Sequence, residues 1–150
     1  MYYNEFVISK SYLETIELGE KLGKMLEKDS VIVLNGDLAS GKTTLTKGIG
    51  KGLDIKDTIN SPTFTILKIY NGRLPLYHID AYRLDNSNYD LGFNELDDGV
   101  IVVEWPEYYK DYLPKEYIEI DFKYIDEDSR DITIKSVGDK YSSIIKELNV

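Results

Sequence analysis

The run Gly36-Asp37-Leu38-Ala39-Ser40-Gly41-Lys42-Thr43 separates two glycines by four residues and follows the second with a lysine and a hydroxyl. That spacing suits one chemistry, the cradling of phosphate. Glycine permits a tight turn and a close backbone approach. Successive backbone N–H groups of such a loop point inward as an anion nest, and a helix that starts behind it adds the positive end of its dipole. Asp37, Leu38, Ala39, Ser40 and Gly41 are therefore expected to wrap the phosphates with their backbone. Lys42 is expected to bridge the outer phosphates and the Thr43 hydroxyl to ligate magnesium. The whole run matches G-x-x-x-x-G-K-[ST].

A phosphate loop needs a second acid to hold magnesium or the attacking water. Asp80 follows Leu76-Tyr77-His78-Ile79, and Glu104 follows Val100-Ile101-Val102-Val103. Both end apolar runs, and periodicity does not choose between them. The ordinary alternative for each is a solvated carboxylate at a strand end. His78, the only histidine, lies two residues before Asp80 and so shares its face on a strand. That placement suits orientation of Asp80, although a half-buried, satisfied histidine is the plainer reading. Ser61-Pro62-Thr63 falls between the first helix after the loop and the next strand, a switch-like location, and Ser-Pro also starts ordinary turns.

These residues need elements to position them. Leu13, Ile16, Leu22, Met25 and Leu26 recur at helical spacing, which predicts an amphipathic helix over about 11–28. Val31-Ile32-Val33-Leu34 reads as a buried parallel strand leading into Gly36. Thr43 to about Lys51 reads as the helix behind the loop, with Gly52 as its stop. Thr65–Tyr70 and Leu74–Ile79 read as strands joined through Asn71-Gly72, a hairpin signal. The stretch from Asp85 to Asp98 is polar and acidic. Val100–Val103 reads as a second buried strand. Alternation at Ile118, Ile120, Phe122 and Tyr124, and again at Ile132 and Ile134, predicts a late hairpin turned by Asp126–Ser129. Tyr141–Leu148 closes the chain as a helix. The expectation is one α/β P-loop domain over 1–150, with a mixed, largely parallel central sheet and antiparallel hairpins.

Composition narrows the partners. The net charge is -9, which repels nucleic-acid phosphates and supplies no basic footprint, so strong direct binding of RNA or DNA is disfavoured. No cysteine is present, so disulfides and thiolate metal sites are excluded. No apolar run approaches the ~20 residues of a membrane span, and Met1–Glu5 has no signal-like pattern, so a cytoplasmic protein without membrane contact is expected. Only three arginines occur, Arg73, Arg83 and Arg130. A small-molecule kinase normally uses several to grip two phosphorylated substrates, and a GTPase would carry Asn-Lys-x-Asp and Asp-x-x-Gly segments that are missing here. A minimal ATPase fits best. A stand-alone kinase and a nucleotide-responsive binding module without catalysis remain the alternatives.

The chain resembles the TsaE (YjeE) family, bacterial ATPases of tRNA threonylcarbamoyladenosine synthesis. The resemblance is carried in order by Gly36 to Thr44, Ser61-Pro62-Thr63-Phe64, His78-Ile79-Asp80-Ala81-Tyr82-Arg83-Leu84 and Val103-Glu104-Trp105-Pro106, with a weaker Glu14-Thr15 and Leu18-Gly19 pattern before them. It implies a three-layer P-loop fold, ATP and Mg2+ as ligands, and ADP as product. It also implies a catalytic or metal-linked role for Asp80, a place at the magnesium site for Glu104, nucleotide contacts from Thr44 and from Tyr12, and γ-phosphate sensing by Ser61 and Thr63. The TsaB and TsaD proteins are the implied partners, tRNA being met only through them, with slow hydrolysis in their absence. Where the family loop usually reads Gly-Ala, this chain has Ala39-Ser40. Arg83 as an arginine finger, Trp105 beside the nucleotide, and Tyr108, Tyr109 and Tyr112 as an interface cluster are further expectations, each with a plain surface or core role as its alternative.

Overall fold

The computed structural model describes residues 2–36, 41–60, 67–81, 96–104 and 113–148. Seven strands, β1 (Tyr2–Ser9), β2 (Ser30–Asn35), β3 (Leu67–Tyr70), β4 (Leu76–Asp80), β5 (Val100–Glu104), β6 (Tyr117–Tyr124) and β7 (Arg130–Val137), form one sheet in the order β1-β7-β6-β2-β5-β4-β3. The helices are α1 (Tyr12–Met25), α2 (Lys42–Gly52) and α3 (Ser142–Leu148). β2 lies between β5 and β6 and is parallel to both, and β4 continues the parallel set beside β5. Antiparallel β3 flanks this core on one side, and antiparallel β7 followed by β1 on the other.

The apolar patterns explain which faces are covered. Ile32, Leu34, Val100, Val102, Ile118, Ile120, Ile132 and Ile134 alternate onto one face. There they meet Leu18 and Leu22 of α1, Leu45 and Ile49 of α2, and Ile145 and Leu148 of α3. Val31, Val33, Ile101 and Val103 form a smaller cluster on the opposite face with Ile79 and Ala81. β2 and β5 are thus apolar on both sides, as a central parallel strand requires. Leu67, Tyr77, Leu96, Leu113 and Tyr117 pack against the second-face cluster, partly buried. No helix among the described residues is long and apolar enough to cross a membrane.

Each sequence expectation has a local outcome. Ser11 caps α1, accepting from the Glu14 amide at 3.1 Å while the Glu14 carboxylate accepts from the Lys10 amide at 3.0 Å. These two bonds start the helix expected over about 11–28, which ends at Met25. Thr15 Oγ1 and Ser9 Oγ, both buried, lie 2.6 Å apart and pin the end of β1 to the first turn of α1. At the other end Arg73 donates to the carbonyls of Gly23 and Leu26, satisfying α1's last turn. Two expectations change. Gly52 lies inside α2, whose cap is Leu53. Asn71-Gly72 does not close a two-residue hairpin, since Tyr70 pairs with Leu76 and leaves 71–75 as the connection. β1 carries no expectation because its residues alternate unclearly.

β6 also presents charge away from the helices. Burial, and then Asp121 beside it, push the Glu119 carboxyl above its usual 4.5, against the Lys135 ammonium opposite. The folded chain thus holds this proton more tightly than the unfolded chain. The associated stability is present below about pH 4.5 and is lost as pH rises through the folded value. Glu119→Gln is expected to raise the melting temperature at pH 7 by about 1 °C, a value discounted for solvent screening. The gain should vanish below pH 4.5, and an equal gain at pH 4 and pH 7 in thermal melts would contradict this assignment.

Candidate nucleotide-binding site

Strand register assembles the site before any side chain is considered. Leu34 pairs with Glu104, and Glu104 pairs with Asp80, so the carboxyl ends of β2, β5 and β4 lie level. Leu76, Val100 and Val102 belong to the helix-side core. By the two-residue period of a strand, His78, Asp80 and Glu104 also face the helices. β2 ends at Asn35, just before Gly36, and α2 begins at Lys42, just after Gly41.

α2 begins differently from α1. Its cap position is Gly41, in left-handed backbone at φ 108, a conformation that residues with a side chain rarely adopt. The first intrahelical bond runs from the Leu45 amide to the Gly41 carbonyl at 3.0 Å. The amides of Lys42, Thr43 and Thr44 precede it, and Gly41 offers no side chain to cap them. A helix start of this kind is suited to an anion, whereas α1 spends its first turn on its own capping box.

Against this start lies a buried chain of polar side chains. Lys42 is 5% exposed, Glu104 6% and His78 0%. Glu104 Oε1 is 4.0 Å from Lys42 Nζ, and Glu104 Oε2 is 2.8 Å from His78 Nε2. His78 Nδ1 is buried without a hydrogen-bond partner among the described residues. An orphaned lone pair is less costly than an orphaned N–H, which assigns the ring proton to Nε2, donating to Glu104. Burying an ammonium and a carboxylate adds little net stability, because desolvation offsets their attraction. Their presence at a strand end beside the start of α2 makes this the candidate binding site. Asp80 is half-buried at the end of the neighbouring strand.

The other wall comes from β6 and β7. A Cβ added at Gly41 would lie 3.5 Å from the Phe122 ring and 3.8 Å from Arg130 Cγ. Arg130 donates to the carbonyls of Asp126, Glu127 and Ser129 and lies 4.8 Å over the Tyr124 ring. Ser9 pairs with Arg130, which brings the start of α1 to the same end of the sheet. Tyr12 there is 58% exposed and Tyr124 is 57% exposed.

The structure therefore brings together Gly41, Lys42, Thr43, Thr44, Asp80 and Glu104, and places Tyr12 at the same sheet end. His78 reaches Glu104 rather than Asp80, and it is fully buried rather than half-buried. Phe122 and Arg130 were not expected at the site, and no pattern in the sequence pointed to either. Asp37, Leu38, Ala39, Ser40, Ser61, Thr63, Arg83, Trp105, Tyr108, Tyr109 and Tyr112 lie outside the described residues.

A buried parallel strand, a glycine-bounded loop, a helix opening on Gly41-Lys42 and an acid on the adjacent strand define a P-loop-type α/β protein. The sequence pattern of the family described as Threonylcarbamoyl adenosine biosynthesis protein TsaE matches residues 9–132, and the chain belongs to this family. The protein is 42% identical over 139 residues to the tRNA threonylcarbamoyladenosine biosynthesis protein TsaE of Bacillus subtilis, covering 91% of this chain and 88% of the relative. It is 42% identical over 131 residues to the protein of the same name from Treponema pallidum, covering 85% and 97%. The crystal structure of Bacillus subtilis YdiB superposes with a TM-score of 0.84 at 35% identity, covering 99% of this chain and 96% of that one.

Proposed function

We propose that this chain is the ATP-binding and ATP-hydrolysing protein in formation of the threonylcarbamoyl group on adenosine in tRNA, acting on a TsaB–TsaD complex. The observation that carries the nucleotide reading is the Lys42–Glu104–His78 chain set against the glycine-capped start of α2. The backbone amides of 42–44 and Lys42 hold the phosphates. Mg2+ characteristically takes one or two protein ligands and completes its shell with phosphate and water, and the Thr43 hydroxyl and the Glu104 carboxylate fit that donor set. When bound, it neutralises charge developing on the transferred phosphoryl group. Asp80, one strand from Glu104 and half-buried, orients the water. The exposed rings of Tyr12 and Tyr124, with Arg130, offer the base a flat wall. Ser61 and Thr63, by family resemblance, respond to the γ-phosphate. The acidic surface suits a protein partner that itself holds the tRNA.

Reconstitution with purified partner proteins and unmodified tRNA tests this. Modification is expected to require this chain, and Asp80→Asn is expected to slow it by about 100-fold or more while ATP still binds. Modification that proceeds without the chain would overturn the pathway assignment. An Asp80→Asn variant with full activity would leave a nucleotide-responsive binding module without catalysis.

A further inference from the structure

Glu104 has two carboxylate oxygens, and the protein treats them differently. Oε1 is turned toward Lys42 at 4.0 Å, while Oε2 is engaged by His78 at 2.8 Å. Building on the nucleotide-binding reading, we propose that His78 is a positioning residue whose Nε2–H holds Oε2 of Glu104 so that Oε1 is presented to the bound Mg2+–nucleotide.

Three observations carry this. First, His78 is wholly buried and keeps one ring nitrogen unpartnered among the described residues, a cost that a leucine at that position would avoid. Packing alone therefore gives no reason for an imidazole there, and the bond to Glu104 does. Second, the two residues sit on paired strands. His78 faces Val102 across the β4–β5 ladder, two residues before Glu104, so the donor is fixed by sheet register rather than by a loop. Third, a glutamate has rotamer freedom to lose, and a carboxylate already held in one orientation does not lose it again on binding. Partners behind a metal-ligating carboxylate act in this way. Asp80, on the same strand face as His78, has its own interactions, and the sequence spacing that linked it to His78 is superseded by the contact across the ladder.

The test measures how much Mg2+ is needed for half-maximal tightening of a fluorescent ADP analogue by the intact chain, with thermal melts of each variant. His78→Leu keeps the volume and removes the donor. His78→Asn keeps an amide but is too short to reach Glu104. His78→Gln places an amide nitrogen near the position of Nε2. Nucleotide affinity without Mg2+ is expected within about twofold of the parent in all three. The Mg2+ requirement is expected to rise about 10-fold or more in His78→Leu and His78→Asn, and to stay within about threefold in His78→Gln. An unchanged Mg2+ requirement in His78→Leu or His78→Asn overturns the proposal, as does a 10-fold rise in His78→Gln. If only His78→Gln folds, a 10-fold rise in its Mg2+ requirement still overturns the proposal. A parent protein that binds no ADP analogue overturns the nucleotide reading itself, whereas a parent that binds it normally beside unaffected variants overturns only the role of His78.

Discussion

Gly48→Ala is expected to lower the melting temperature by roughly 5–10 °C, whereas Gly50→Ala, two residues further along the same helix, stays within about 2 °C of the parent. Both changes gain the same helix propensity, about 1 kcal/mol for alanine over glycine. What differs is what the new methyl meets. At Gly48 it would lie 2.2 Å from the Ile16 carbonyl oxygen and 2.9 Å from the Gly19 Cα, all of it α1 backbone. Gly19 meets α2 in the same way, 2.4 Å from the Leu45 carbonyl, and Gly23 and Gly52 repeat the contact further along. The two helices touch through their main chains, and neither can yield without separating. At Gly50 the nearest atom is the Cδ1 tip of Ile59, which can rotate away. Because α2 carries Lys42 at its start, separating the helices also moves the site. Gly48→Ala should therefore weaken ATP binding, and less of its melting temperature should be recovered on adding nucleotide. Equal melting temperatures for the two variants would sink this account of the helix contact.

Lys42→Met carries the second large effect. Loss of a charged phosphate donor is expected to weaken ATP binding by about 10- to 100-fold, from hydrogen bonds to charged groups worth about 1.5–3 kcal/mol. The nucleotide-free protein is also expected to lose stability, since the Glu104 carboxyl, 6% exposed, is left buried without its lysine partner. Adding Glu104→Gln to Lys42→Met replaces that carboxyl with a neutral amide. The double variant should melt above Lys42→Met alone while still failing to bind ATP. Calorimetric titration and melts of the four proteins form a double-mutant cycle that isolates the coupling. Unchanged ATP affinity in Lys42→Met would remove the phosphate-binding role of this lysine. Strict additivity of the melts would mean that the pair at 4.0 Å is not coupled.

The arginines show how a composition argument can leave roles open. Their scarcity argued against a kinase. Arg73 closes the last turn of α1, and Arg130 ties the β6–β7 turn beside Gly41. The role of Arg73 is not visible from spacing, because its carbonyl partners lie in α1, far away in the chain; the partners of Arg130 are local, and what spacing hides is its approach to Gly41.

What the sequence by itself determined is what neighbours in the chain decide. The glycine-bounded loop, the apolar runs of β2 and β5, and the β6–β7 alternation follow from backbone freedom and period. So they were legible, and the joint order of the Gly36–Thr44, Ser61–Phe64, His78–Leu84 and Val103–Pro106 segments pointed to the family. Gly41 could be singled out because left-handed backbone before a helix is a local requirement. Only the tertiary structure decided which strand end met which. Edge strand β1 has no clean alternation and owes its place to pairing with β7, more than a hundred residues away. Gly52 reads locally as a stop, yet it stays helical because α1 packs on it where no Cβ would fit. His78 reads as a neighbour of Asp80 because chain spacing is all that a sequence displays. Parallel register set it against Glu104 instead, and a hydrogen bond between strands depends on register, which spacing within one strand does not encode.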